Sequence, residues 1–146
     1  MENIARLLDK KCYFDTNPLI YALSGNDIYL PIMTEIFQGL HYQKCVGFSS
    51  ELGLAELLVK PIKANDQTQI DTINALFDNR FLGLLSHNRQ CFELSSAIRA
   101  KYGLKMPDAI HIATAIYHQM DIVITADNGI TNKINEIEIF NLNDFV

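Results

Sequence analysis

The sequence predicts an α/β fold: an open, mostly parallel sheet with helices on both faces. Three observations carry that expectation. Short apolar or β-branched runs alternate with helical stretches of ten or more residues, the connection length that parallel strands need and hairpins do not. The chain has 146 residues, enough for one domain and too few for two, so a single domain over 1–146 is expected. Its 49% hydrophobic content suits a packed core, and 4 prolines with 7 glycines exclude a collagenous or linker-like chain.

In order, Lys11 to Phe14 reads as a buried strand that stops at Asp15. Asn17 and Pro18 read as an N-cap with proline in the first helical position, opening a short helix that ends near Ser24 and Gly25. Ile32, Ile36, Phe37 and Leu40 recur at helical spacing and place a helix over Leu30 to Tyr42. Cys45 to Phe48 is a second strand, with Ser49 and Ser50 starting a helix from Glu51 to Lys60 that Pro61 stops. Asp66 to Phe77 is helical, and Phe81 to Leu85 is a third strand. Phe92 to Tyr102 is a helix ended by Gly103, and Pro107 to Met120 is another with proline in its first turn. Ile122 to Thr125 is a β-branched strand, Asp127 to Asn132 a turn or short helix, and Glu136 to Phe140 an alternating edge strand. The apolar faces of 30–40 and 70–77 suit either self-association or inward packing.

Glu56, Asp108 and Asp121 interrupt every apolar stretch before the roughly 18 residues a membrane span needs. Residues 1–9 carry acids where a signal peptide has a basic start, so an untargeted chain with no membrane contact is expected. Three cysteines, Cys12, Cys45 and Cys91, form no CxxC pair; buried thiols in a reducing cytoplasm are the expectation. A net charge of −5 excludes bulk attraction to nucleic acid, so an anionic partner has to be drawn in locally.

Ligands on open α/β sheets bind beyond the carboxyl ends of the strands, where strand order reverses. Asp15 and Asp127 stand at two such ends, and Glu56 and Asp108 on helices that follow loops of the same side. Each has a plain alternative. Asp15 could cap a helix, although Asn17 and Pro18 already supply a cap and leave it free. Glu56 could pair with Lys60 four residues on, although Gly53 one turn back leaves it uncovered. Asp108 could complement a helix N-terminus, and shares a polar arc with His111, Thr114 and His118. Asp127 could be an ordinary turn acid. If the four converge, two charges about 5 Å apart repel by roughly 3 kcal/mol at an effective dielectric near 20, so protons or cations must compensate. Oxygen-only donors select Mg²⁺ or Mn²⁺, which can activate water against a phosphodiester. Without these acids the net charge of −5 becomes −1, so the remaining surface is nearly neutral.

Taken together these segments resemble the PIN-domain ribonucleases. Phe14 to Ile20 looks like the family's opening motif, Leu54 to Leu58 its second acidic position, Lys105 to Ala115 its third motif and Ile124 to Asp127 its last, with Ala126 where many members carry Asn. The resemblance covers essentially the whole chain. It implies a three-layer α/β/α sandwich around a mostly parallel five-stranded sheet, and Mg²⁺- or Mn²⁺-dependent endonucleolytic cleavage of RNA. Free-standing domains of this length resemble VapC-type toxins, which implies a homodimer and a small antitoxin partner. Carried over, Asp15, Asp108 and Asp127 become metal ligands. Glu56 becomes a ligand of a second ion or the group that orients water, and Asn17 and Thr125 hydrogen-bond behind them. His111 and His118 are assigned structural or surface roles, since such sites use oxygen, and His41 and His87 have no evident partner. Lys60, Lys63, Arg99, Lys101 and Lys105 could guide phosphates or form a solvated face.

Two other readings compete. A module with this fold could hold RNA or a partner without cutting. A flavodoxin-like phospho-acceptor also gathers acids and Mg²⁺, but needs an Asp after the third strand and a Lys after the last, where this chain has Ser86-His87 and Asn141-Leu142-Asn143. No G-x-G-x-x-G loop supports dinucleotide binding.

Overall fold

In the computed structural model, which describes residues 2–131 and 134–146, the five predicted strands form one parallel sheet. They are β1 (Lys11–Phe14), β2 (Val46–Ser50), β3 (Gly83–Leu85), β4 (Ile122–Thr125) and β5 (Glu138–Asn141), in the spatial order β3-β2-β1-β4-β5. The β1–β4 pairing joins strands distant in sequence, with Tyr13 opposite Val123 and Phe14 opposite Ile124. Strand order reverses at β1, which places the ligand crevice at the ends of β1 and β4. This order also differs from the 2-1-3-4-5 of flavodoxin-like domains, which removes the phospho-acceptor reading.

Among the described residues seven α-helices connect the strands: α1 (Thr16–Ser24), α2 (Leu30–His41), α3 (Glu51–Lys63), α4 (Gln67–Asp78), α5 (Arg89–Tyr102), α6 (Met106–Tyr117) and α7 (Asn128–Thr131). The two-residue period of the strands divides the core between the faces. Cys12, Phe14, Ile122 and Ile124 pack with Leu19 of α1, Ile36 of α2, Leu57 of α3 and Ile73 of α4. Tyr13 and Val123 face the other way, onto Ile98 of α5 and Ala109, Ile112 and Ala115 of α6. The apolar faces of 30–40 and 70–77 therefore pack inward through Ile32, Ile36, Leu40, Ile73 and Phe77. Among the described residues, no helix is long and apolar enough to cross a membrane.

Element boundaries depart from the sequence expectation at several points. Asp15, not Asn17, is the N-cap of α1, its Oδ1 accepting from the Thr16 amide at 2.8 Å. Pro61 does not stop α3, which runs to Lys63. Proline removes only the bond its own N–H would make to Leu57, and the helix closes where Asn65 turns to φ +51° and the Asp66 amide reaches the Pro61 carbonyl. β2 extends through Ser50, whose hydroxyl then caps α3 at the Gly53 amide. α5 begins at Arg89 behind an Asn88 cap, and a 3-10 segment over Glu2–Leu7 buries Ile4 and Leu7. The predicted turn after Asp127 is α7; its expected last residue, Asn132, lies outside the described residues.

Gly53 serves a different purpose from the one its spacing suggests. A Cβ there would collide with Ser49 Oγ, which donates to the Phe14 carbonyl at 3.1 Å, so the glycine lets α3 lie against β2. Gly53→Ala is expected to cost about 1–3 kcal/mol by pushing this buried hydroxyl off its acceptor, read as a lower urea midpoint with unchanged slope.

Candidate active site

Most of the buried polar residues gather at the carboxyl ends of β1, β2 and β4: Asp15, Thr16, Ser49, Ser50, His111 and Thr125 are each at most 6% exposed. The first anchor is Asp15. Its backbone amide continues the β1–β4 ladder to Ile124 O, while Oδ1 caps α1 and Oδ2 accepts from the Thr125 hydroxyl at 2.8 Å. Thr125 Oγ1 also accepts from the Asp127 amide, so one hydroxyl ties the Asp15 carboxylate to the Asp127 turn. Asp127 Oδ1 in turn accepts from Gly129 N at 2.7 Å, starting α7. Asparagines brace that turn from behind: Asn143 donates to Ala126 O, and Asn141 to Asp127 O and Asn128 Oδ1. Of the two supporting residues expected from the resemblance, Thr125 thus touches the acids. Asn17 stands exposed on α1, and the bonds to Asp15 come from Thr16 and Thr125 instead.

Asp108 enters from the first turn of α6, half-buried. Burial, and then the charges of Asp15 and Asp127, push its carboxyl up to about 6 from an ordinary 3.8, against a smaller opposing pull from His111 and Lys105. The three aspartates therefore share one electrostatic neighbourhood.

Glu56 is placed differently. The expected ion pair with Lys60 does not form; Glu56 Oε1 accepts from Thr16 Oγ1 at 2.8 Å and from His111 Nε2 at 2.6 Å. Burial acts to raise this carboxyl, but the bonds from His111 and Thr16, with the His111 charge, outweigh it and hold it below its ordinary value. His111 also lies 3.8 Å from Asp15 Oδ1, with its Nδ1 2.6 Å from the Tyr13 hydroxyl, which donates to Ser50 at 2.8 Å. Burial raises Tyr13 further above its already high ordinary value, so the phenol stays protonated.

The polar arc of α6 is real, but it faces inward. Besides His111, Thr114 meets His87 Nδ1 at 2.9 Å, and His118 Nε2 reaches the Ser86 carbonyl at 2.8 Å. His87, for which the sequence offered no partner, accepts the Leu52 amide on Nε2 and joins α3, α6 and the loop after β3. Burial holds its imidazole below the usual range. The sequence signal for His111 was its place three residues after Asp108 on that arc; expecting oxygen donors alone hid its value as a hydrogen-bond donor to an acid.

The basic residues divide. Lys101 pairs with Glu136 at 2.7 Å, and Arg99 holds the Leu104 carbonyl, so neither is committed to the acids. Lys105 is felt by Asp108. Lys60 lies with Glu56 on a groove of about 210 Å³ whose other walls include Ile20, Leu23, Leu57 and Ile73.

A divalent cation fits this donor set in its chemistry. Every group that bears on Asp108 from the strand ends is a carboxylate, and their mutual repulsion is what a cation would relieve. Among the described residues no three His, Cys, Asp or Glu side chains close on one point as they stand.

Comparison with known proteins agrees with this architecture. Among solved structures, the chain is similar to a toxin–antitoxin complex from Klebsiella pneumoniae, with 27% identity and a TM-score of 0.64, covering 88% of this chain and 99% of that one. It has the fold of a chain in VapBC2 from Rickettsia felis bound to a promoter DNA fragment (18% identity, TM-score 0.68, covering 90% and 98%). It shares that fold with VapBC-1 from nontypeable Haemophilus influenzae (18%, 0.67, covering 91% and 98%). No curated protein matches significantly. The family model of the PIN domain matches residues 12–135, spanning all four acids, and the chain belongs to the PIN-domain family.

Proposed function

We propose that this chain is a metal-dependent endoribonuclease that hydrolyses RNA phosphodiester bonds, and that it is the toxin of a toxin–antitoxin pair. The observation that carries the reading is the Thr125 hydroxyl that ties the Asp15 carboxylate to the Asp127 turn at the strand-order reversal, with Asp108 near enough for both charges to push its carboxyl up. Asp15, Asp108 and Asp127 are the residues that would hold Mg²⁺ or Mn²⁺, with Glu56 nearby to orient water or serve a second ion. The ion would supply an activated water and charge compensation for phosphoryl oxygens. The chain's own contribution is positional: Thr125 fixes Asp15 and the Asp127 turn together, and Lys105 offers positive charge at the rim. Family membership supports the nuclease activity, and the likeness to toxin–antitoxin complexes supports an antitoxin partner; that the antitoxin is small and the toxin a homodimer belongs to the proposal through the resemblance to VapC-type toxins. One domain over 1–146 and a cytoplasmic location complete the proposal; Cys12, Cys45 and Cys91 are buried free thiols, which suits a reducing compartment.

The test is digestion of RNA with Mg²⁺ or Mn²⁺, with and without chelator, beside Asp15→Asn. Cleavage that stops in both cases supports the proposal; cleavage that survives both overturns it. Tight RNA or antitoxin binding with no cleavage, unchanged when Glu56 is replaced, points instead to a silent binding module.

A further inference from the structure

We propose that His111 is a positioning residue that holds Glu56 in place for the chemistry of the acids. Read from the sequence, this histidine has a structural or surface role, yet it is 2% exposed and bonded on both ring nitrogens. Nε2 sits 2.6 Å from Glu56 Oε1, and an ionised carboxylate only accepts, so Nε2 donates. Thr16 Oγ1 donates to the same oxygen at 2.8 Å. Both anchors therefore fall on Oε1, and Oε2 makes no hydrogen bond among the described residues. Glu56 is left with a single oxygen to offer an ion or a water, on a side chain 35% exposed.

The anchor is itself fixed. Nδ1 meets the hydroxyl of Tyr13, a residue of the central strand β1, and that hydroxyl is bonded to Ser50 at the start of α3. Glu56 lies on α3 and Asp108 on α6, one turn before His111. The first two turns of α6 thus supply one acid directly and orient another, locking α3 against α6 at the point where the acids meet. Groups that orient ligands from behind usually matter by about 10–100-fold in affinity or activity.

This inference rests on the nuclease reading for its effect on rate, but its core claim concerns where Glu56 stands. Two conservative variants separate the bonds of His111. His111→Gln carries an amide that reaches as far as Nε2 and keeps the Glu56 bond; His111→Asn matches Nδ1, keeps Tyr13 and forfeits Glu56. We expect crystals of His111→Asn to show Glu56 displaced, Mn²⁺ affinity by calorimetry to weaken about tenfold, and kcat on RNA to fall at least tenfold with KM little changed. His111→Gln is expected to stay within about threefold of the parent in each. The idea is overturned if Glu56 keeps its position in His111→Asn, or if the two variants fall together in proportion to lost stability. If the parent protein neither binds Mn²⁺ nor cuts RNA, the nuclease reading fails, and the position of Glu56 in the two crystals still decides this one.

Discussion

Asp108→Asn is expected to make the metal-free protein more stable above pH 6 while abolishing cleavage. In the folded chain this carboxyl is pushed up to about 6 by burial and by Asp15 and Asp127; in the unfolded chain it titrates near its ordinary 3.8. Between those values the native state binds the extra proton, so stability falls as pH rises through the window and stays low above it. Below pH 4 both states are protonated and the penalty vanishes. The full shift corresponds to at most about 3 kcal/mol, and solvent screening at this half-buried position leaves roughly 1–2. Asparagine cannot ionise, so it escapes the penalty: the variant gains a few degrees in Tm at pH 7.5 and nothing at pH 3.5. Mg²⁺ is expected to stabilise the parent by more than it stabilises the variant, because only the parent has that repulsion to relieve. Thermal melts at the two pH values, with and without Mg²⁺, check all of this. A variant less stable than the parent at pH 7.5 would show that Asp108 is a structural acid.

The same residue shows what the sequence discloses and what it withholds. β1 and β4 were legible because Cys12 to Phe14 and Ile122 to Thr125 are buried throughout, and a strand covered on both faces reads as a near-continuous apolar block. The exits of α1 and α5 were legible through Gly25 and Gly103, which take the left-handed conformation at no steric cost. The exits of α3 and α6 were each missed by three residues, because Asn65 and Gln119 adopt that conformation without being glycine, whereas those of α2 and α4 were placed within one residue although Gln43 and Arg80 adopt it too. Tertiary packing supplies what local sequence does not advertise there. Asp15 and Asp127 could be picked out because strand ends are positions that any parallel sheet brings together, and Asp108 because it opens a helix that follows a loop on the same side. The immediate partners of Glu56 could not. His111 and Thr16 are separated from it by 55 and 40 positions, and only the β1–β2 register and the approach of α6 to α3 join them. Asp15 was singled out on the ground that Asn17 and Pro18 spare it from capping; in the structure it performs the capping itself.

That double duty gives Asp15 an expected signature opposite to that of Asp108. Asp15→Ala removes the cap of α1, worth about 0.5–2 kcal/mol, and strands the fully buried Thr125 hydroxyl, worth about 1–3 more. Part of this is returned, because Asp108 loses the larger of its two repelling charges and drops back toward its ordinary value. A net loss of about 2–3 kcal/mol near pH 7.5 is expected by urea denaturation. Asp15→Asn retains an oxygen for the Thr16 amide, so it should lie between the parent and the alanine variant, although equally inactive. The compensation can be isolated. In an Asp108→Asn background there is no repulsion left to relieve, so Asp15→Ala should cost more there than in the parent, by about 1 kcal/mol. Losses that simply add, within about 0.3–0.5 kcal/mol, would mean the two carboxylates do not feel one another, and with that the electrostatic basis for a cation between them disappears.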